Sequence, residues 1–205
     1  MKELILIPFL IVMTATFLSS CTNTAPSPAT KHGQQAATLA EANPAEPDGP
    51  ALNGTNFVLS SPEAVDGGSL PREYTCDGSS ATLPLEWSGT PPGTKSLAIV
   101  MHTIPAPNES HWYWVLYNIP PDTRSLAKNV SGIGTLGNNS VNGKTAYSPP
   151  CSKGPGAKKY TYTIYALSAP PQLSVSPAKV SRDVLLAAIK DRTIASAELN
   201  VYYSR

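Results

Sequence analysis

The apolar positions after residue 56 fall in short runs, rich in β-branched and aromatic residues and bounded by Gly, Pro or Asn: 57–60, 83–87, 96–102, 111–119, 160–167 and 199–203. Runs of that length and composition predict strands. Within 111–119, Trp112, Trp114 and Leu116 alternate with Tyr113 and Val115, the two-residue period of a pleated strand with two distinct faces. One segment has a different period. From Ser181 to Lys190, Ser181 offers an N-cap oxygen, Asp183 places a carboxylate in the first turn, and Leu185, Ala188 and Ile189 recur at helical spacing. Strands joined by long Pro- and Gly-bearing loops, with a single late helix, predict a β-dominated sandwich or barrel with one or two peripheral helices rather than alternating βαβ units. No internal repeat is present.

The start of the chain follows another pattern. Lys2 and Glu3 precede an apolar run from Leu4 to Leu18, and small residues lead to Cys21, the order of a secretory signal over 1–20. Pro8, Thr14 and Thr16 interrupt the run, and its length of about 15 residues is short of the roughly 20 that span a bilayer. Leu18-Ser19-Ser20-Cys21 resembles the lipobox of bacterial lipoproteins, which makes Cys21 the expected lipidation site and mature N-terminus. Several acyl chains hold a protein to a bilayer far more firmly than one. Thr22, in place of an aspartate after the cysteine, favours the outer membrane in a diderm envelope by the same resemblance. Residues 21–53, rich in Ala, Pro, Thr, Gln and Asn, bury too little apolar surface to offset ordering entropy and are expected to be a tether. Residues 54–205 then form one domain of roughly 150 residues, enough for a sizeable core.

Charge narrows the function. Lys and Arg total 15 against 14 Asp and Glu, a balance that gives no support for nucleic-acid binding, which depends on clustered cations. Only His102 and His111 fall within the domain, so acid–base and metal chemistry have few donors. No ligand pair has zinc-site spacing, no Gly-x-Ser-x-Gly elbow is present, and neither a metal nor a cofactor is expected. Gly132-Ile133-Gly134-Thr135-Leu136-Gly137 matches a dinucleotide-loop spacing. That motif needs a helix after it to receive pyrophosphate, whereas a loop-like Asn-rich stretch follows here. Export to an oxidising compartment allows Cys76 and Cys151 to pair, closing a loop of about 75 residues. Two separate thiols fit the sequence equally well.

Four groups of residues then carry a resemblance: Tyr74-Thr75-Cys76-Asp77-Gly78; Leu83-Pro84-Leu85-Glu86-Trp87; Ser96-Leu97-Ala98-Ile99-Val100 running into Ala106-Pro107 and His111-Trp112; and Pro150-Cys151 followed by Gly154, Tyr160 and Tyr165-Ala166-Leu167. In order and spacing this set resembles the phosphatidylethanolamine-binding protein (PEBP) superfamily, in its bacterial branch of Raf-kinase-inhibitor-like proteins. The resemblance implies a sandwich of two antiparallel sheets with a small pre-formed anion pocket at one end, lined here by Thr103, Pro105, His111, Trp112, Pro150, Lys158 and Tyr160. It also implies a cis bond at Ala106-Pro107. The family's Asp-Pro-Asp-Ala-Pro loop reads Thr103-Ile104-Pro105-Ala106-Pro107, without either aspartate, and Lys158 stands in the usual histidine position. Exchanging two carboxylates and a histidine for a lysine favours a small anion over a zwitterionic head group. The expected function is an envelope-anchored, non-enzymatic binding module for a small anion or a partner protein, facing the periplasm or cell exterior. A protein-interaction or inhibitor domain with a vestigial pocket is the alternative.

Overall fold

A computed structural model of the chain describes residues 56–205. The signal at 1–20, and the tether with Cys21 at 21–53, lie outside the described residues. Nine strands and one α-helix follow in order: β1 (Val58–Ser60), β2 (Gly68–Ser69), β3 (Leu85–Ser88), β4 (Ser96–Ala106), β5 (Glu109–Ile119), β6 (Ser125–Leu126), β7 (Thr135–Leu136), β8 (Lys158–Leu167), α1 (Arg182–Ile189) and β9 (Thr193–Tyr203). They build a three-stranded sheet in the order β1-β3-β6 and a six-stranded sheet in the order β2-β9-β8-β4-β5-β7. The pairing is antiparallel except between β2 and β9, where Gly68 and Ser69 run parallel to Val201 and Tyr202.

The unbroken apolar run of β4 reflects cover on both faces. Leu97, Ile99 and Met101 join Trp114, Leu116, Tyr160, Tyr162 and Ile164 in a core beneath the small sheet, contributed there by Leu59, Leu85, Trp87 and Leu126. Ala98 and Val100 point the other way and meet Val115, Tyr117, Leu167 and, from beyond the sheet, Val180, Leu185 and Ile189. The helix forms where its periodicity places it: the Ser181 side chain accepts from the Val184 N–H at 3.2 Å, and α1 buries Leu185 and Ile189, one turn apart.

In β5 the two-residue alternation breaks. Met101 faces Trp114 and His102 faces Trp112, so Tyr113 is an extra residue with no opposite number. This bulge puts Tyr113 and Trp114, although consecutive, both against the inter-sheet core, while Trp112 packs on the helix side with Val115 and Tyr117. The expected face shared by Trp112, Trp114 and Leu116 is therefore split at Tyr113.

The strands also run further than their apolar cores. β4 continues through Ala106 and β5 starts at Glu109, closing a hairpin over Pro107 and Asn108. Asn108 has φ of 65°, the left-handed value that the second corner of a type II turn requires after a proline. Ala106–Pro107 is trans, and the cis X-Pro bond among the described residues is Gly154–Pro155. Pro105, which has no N–H for the ladder, sits in the register irregularity between Thr103 and Ala106. The glycines of the dinucleotide-like stretch serve packing. Residues 135–136 are strand rather than helix, and a Cβ on Gly137 would lie 2.4 Å from the Val180 carbonyl oxygen.

Candidate functional site

At the hairpin end of the six-stranded sheet, on the side facing the small sheet, the chain encloses a cavity of about 420 Å³. β4 contributes Thr103 and Pro105, β5 contributes Glu109, His111 and Tyr113, and β8 contributes Lys158. The opposite wall comes from loops bearing Ser140, Val141, Pro149, Cys151 and Lys153.

Backbone pairing aligns these side chains. Thr103 lies opposite His111 across the β4–β5 ladder, and Glu109, two residues before His111, returns to the same face. The Glu109 carboxylate stands 2.9 Å from His111 Nε2, with the two side chains about half exposed. Thr103 is buried, and its hydroxyl donates to the Lys159 carbonyl at 2.6 Å, tying β4 to β8 at the mouth of the cavity. Tyr113 packs edge-on to Tyr160, ring centroids 5.3 Å apart, and burial pushes both phenols up from their usual range. Neutral Tyr113 therefore floors the cavity, with neutral Tyr160 beneath it.

The loop wall is braced from several directions. Cys76 and Cys151 form a disulfide, with Cα atoms 5.3 Å apart, and the Cys76 N–H donates to the Pro150 carbonyl at 3.0 Å. The Ser148 N–H donates to the Tyr113 carbonyl at 2.8 Å. Buried Asn139 ties its own loop together: its amide donates to the Lys144 and Ala146 carbonyls, and its Oδ1 accepts from the Val141 and Asn142 N–H groups. Ser140 accepts from the Trp112 N–H and donates to the Trp112 carbonyl. A wall fixed in this way needs little ordering on binding, the condition for a pre-formed site.

Of the residues expected to form the site, Thr103, Pro105, His111 and Lys158 line this cavity. Trp112 does not. The bulge turns it to the helix side, where its indole N–H donates to the Asn138 carbonyl at 3.0 Å. Pro150 and Tyr160 are buried behind the wall and floor, as the carbonyl partner of Cys76 and the ring beneath Tyr113. Seven other lining residues were not among those expected: Glu109, Tyr113, Ser140, Val141, Pro149, Cys151 and Lys153. Glu109 restores one carboxylate to a site that its first loop left with none, and its place two residues from His111 on a strand was the available signal. His102 lies on the opposite face of the sheet from His111, since it pairs with Trp112, so the two histidines do not converge. Lys153 and Lys158 against Glu109 leave the cavity with an excess of cationic donors.

Comparison with known proteins agrees with the fold. Residues 60–204 match the family model described as phosphatidylethanolamine-binding protein. A UPF0098 protein of Methanothermobacter thermautotrophicus is 36% identical over 145 residues, covering 68% of this chain and 93% of that protein. Its counterpart in Aquifex aeolicus is 33% identical over 147 residues, covering 68% and 84%. Among solved structures, a PEBP homologue of Chlamydia trachomatis superposes with a TM-score of 0.65 at 28% identity, covering 73% of this chain and 97% of that one. E. coli YbcL superposes with a TM-score of 0.65 at 24% identity, which shows the fold alone. On the family match and these relatives together, the chain belongs to the phosphatidylethanolamine-binding protein family.

Proposed function

We propose that this chain is an envelope-anchored, non-catalytic binding module whose cavity takes a small anion between Lys158 and His111. The observation that carries the reading is their convergence, with Lys153, on one cavity walled by the disulfide segment. Charge-assisted hydrogen bonds from such donors to phosphate or carboxylate oxygens are the strong class of polar contact. Glu109 holds His111 by one ring nitrogen and leaves the other to face a ligand. Binding without turnover is supported by Ser140: this hydroxyl lines the same cavity, but both its hydrogen bonds go to the Trp112 backbone rather than to His111. Anchoring rests on the Cys21 motif in the sequence.

Titration of the full chain with phosphate, acetate and phosphoethanolamine, followed by NMR, tests the site. Saturable shifts at His111 are expected, and Lys158→Ala should weaken phosphate binding about tenfold, the scale of one charge-assisted hydrogen bond. Equal phosphate affinity in Lys158→Ala would sink the anion reading. Silence with all three ligands would favour a protein-interaction surface instead, for which the β4–β5 hairpin offers Ile104, 61% exposed.

A further inference from the structure

The helix side of the six-stranded sheet carries a second cavity, of about 580 Å³. It shares Thr103, Pro105 and Lys158 at the hairpin with the first and is otherwise separate. Strand register fixes its floor. His102 lies opposite Thr161, and Thr161 opposite Asn200. Two residues toward the hairpin Lys159 faces Tyr202, and two residues the other way Thr163 faces Glu198. Because alternate residues share a face, Lys159, the His102–Thr161 pair and Glu198 form a line: cation, neutral polar centre, carboxylate. The ends of that line are about 13 Å apart at the backbone, at 3.3 Å per strand residue, and the reach of the lysine side chain shortens the gap between charges.

Three observations mark this line as unfilled by the fold. Neither Lys159 nor Glu198 belongs to an ion pair among the described residues, and Glu198 receives only a 3.4 Å contact from the Thr163 hydroxyl. His102 lines the cavity at 8% exposure, yet its Nδ1 is buried with no hydrogen-bond partner, so no protein group fixes the ring. Ile104 and Ala157 add apolar surface toward the hairpin end of the cavity.

We infer that this cavity binds a linear zwitterion of roughly dipeptide length, its anionic end on Lys159, its ammonium end on Glu198 and its chain across His102 and Thr161. Selection comes partly from repulsion. Glu198 disfavours a simple anion extended along the floor, and Lys158 and Lys159 disfavour a simple cation. The ligand class differs from that of the anion cavity on the other face, with which this site shares Thr103, Pro105 and Lys158.

The test follows the His102 ring resonances of the 15N-histidine-labelled full chain during titration with 6-aminohexanoate, and with hexanoate and hexylamine as single-charge analogues. A saturable His102 shift is expected with 6-aminohexanoate, with an affinity about tenfold or more above either analogue, one charge contact being worth that factor. Glu198→Gln should erase the advantage over hexanoate, and Lys159→Gln the advantage over hexylamine. Both residues are exposed, so the fold should tolerate the changes. No saturable shift at His102, a shift confined to His111, or an advantage that survives Glu198→Gln would each overturn the inference.

Discussion

The two faces of the six-stranded sheet are covered to different extents, and both cavities lie where the cover ends. Toward the small sheet the face is large, aromatic and dry, with Trp114, Tyr160, Tyr162, Ile99 and Met101 all within 1% of full burial. Toward α1 it begins small and apolar, with Ala98 and Val100 beneath Leu185 and Ile189, and then turns polar through Thr163, Thr161 and His102. The lengths explain the change. An eight-residue helix extends about 12 Å, whereas the eleven residues of β4 extend about 36 Å. A short helix cannot shield a long strand, so the helix face runs out of apolar cover toward the hairpin and is left with polar groups and a cavity. On the other face disulfide-braced loops continue the cover, and the remaining gap is the smaller cavity of His111 and Lys158.

The sharpest way to break this comparison is to truncate the two tryptophans that the Tyr113 bulge separates. Trp114 is 1% exposed and packs edge-on to Tyr147, centroids 5.9 Å apart. Trp114→Ala should cost about 3–5 kcal/mol in urea unfolding, the range for emptying a core aromatic site. Trp112 is only partly buried on the thinner face, and Trp112→Ala loses that packing and the bond to Asn138, for about 1–2 kcal/mol. Equal losses at unchanged m-values would mean that both indoles occupy one face and that the bulge is absent.

How much of this arrangement was legible in the sequence follows the same division. The long strands and α1 announced themselves because their periods persist over five or more residues; 96–102, 160–167 and the Ser181 cap all stand where the pattern put them. β2, β6 and β7, each two residues long, are too short to show a period. The bulge was invisible for a chemical reason: Trp112-Tyr113-Trp114 is aromatic throughout, so no polar residue marks the insertion, and the expected Trp112 contact with the cavity was lost with it. Thr103, Pro105, His111 and Lys158 were found through family spacing, which survives substitution of individual side chains. Glu109 was not, because it lay among the polar residues of the hairpin, whose pairing is carried by the backbone. Pairing of Cys76 with Cys151 was left open, since it depends on a distance between segments 75 residues apart that only the fold sets.

His102 sharpens the comparison through pH. Burial on the helix face, with the Arg182 and Lys159 cations beside it, lowers its pKa from 6.5 to about 4. Glu198, on the far side of Thr161, is the carboxylate that faces the same cavity. Between pH 6.5 and 4 the unfolded chain protonates this histidine while the folded chain does not, so the unfolded state binds more protons and stability falls as pH falls through that window. The loss should be about 2 kcal/mol at pH 4, below the full value of the shift because water reaches the ring through the cavity. Unfolding free energies measured at pH 7 and pH 4 for the native chain and His102→Asn isolate this contribution. The native chain should lose about 2 kcal/mol more than the variant, and equal losses would show that His102 is not held neutral by the helix face.

The smallest expected effect probes the helix itself. α1 has only two turns, too few to persist without packing and caps, so the Ser181 oxygen that receives the Val184 N–H contributes a large share of its local stability. Ser181→Ala should cost about 1 kcal/mol and Ser181→Gly a few tenths, the usual ranking at an N-cap. The location of the loss carries more information than its size. If the helix is a separately opening cover over Ala98 and Val100, hydrogen exchange in Ser181→Ala should speed at α1 amides while the β4 and β8 amides, held beneath the small sheet on their other face, keep their protection. Uniform acceleration across sheet and helix would mean that the two faces open together, and that the uncovered end of β4 is bounded by the sheet rather than by the reach of α1.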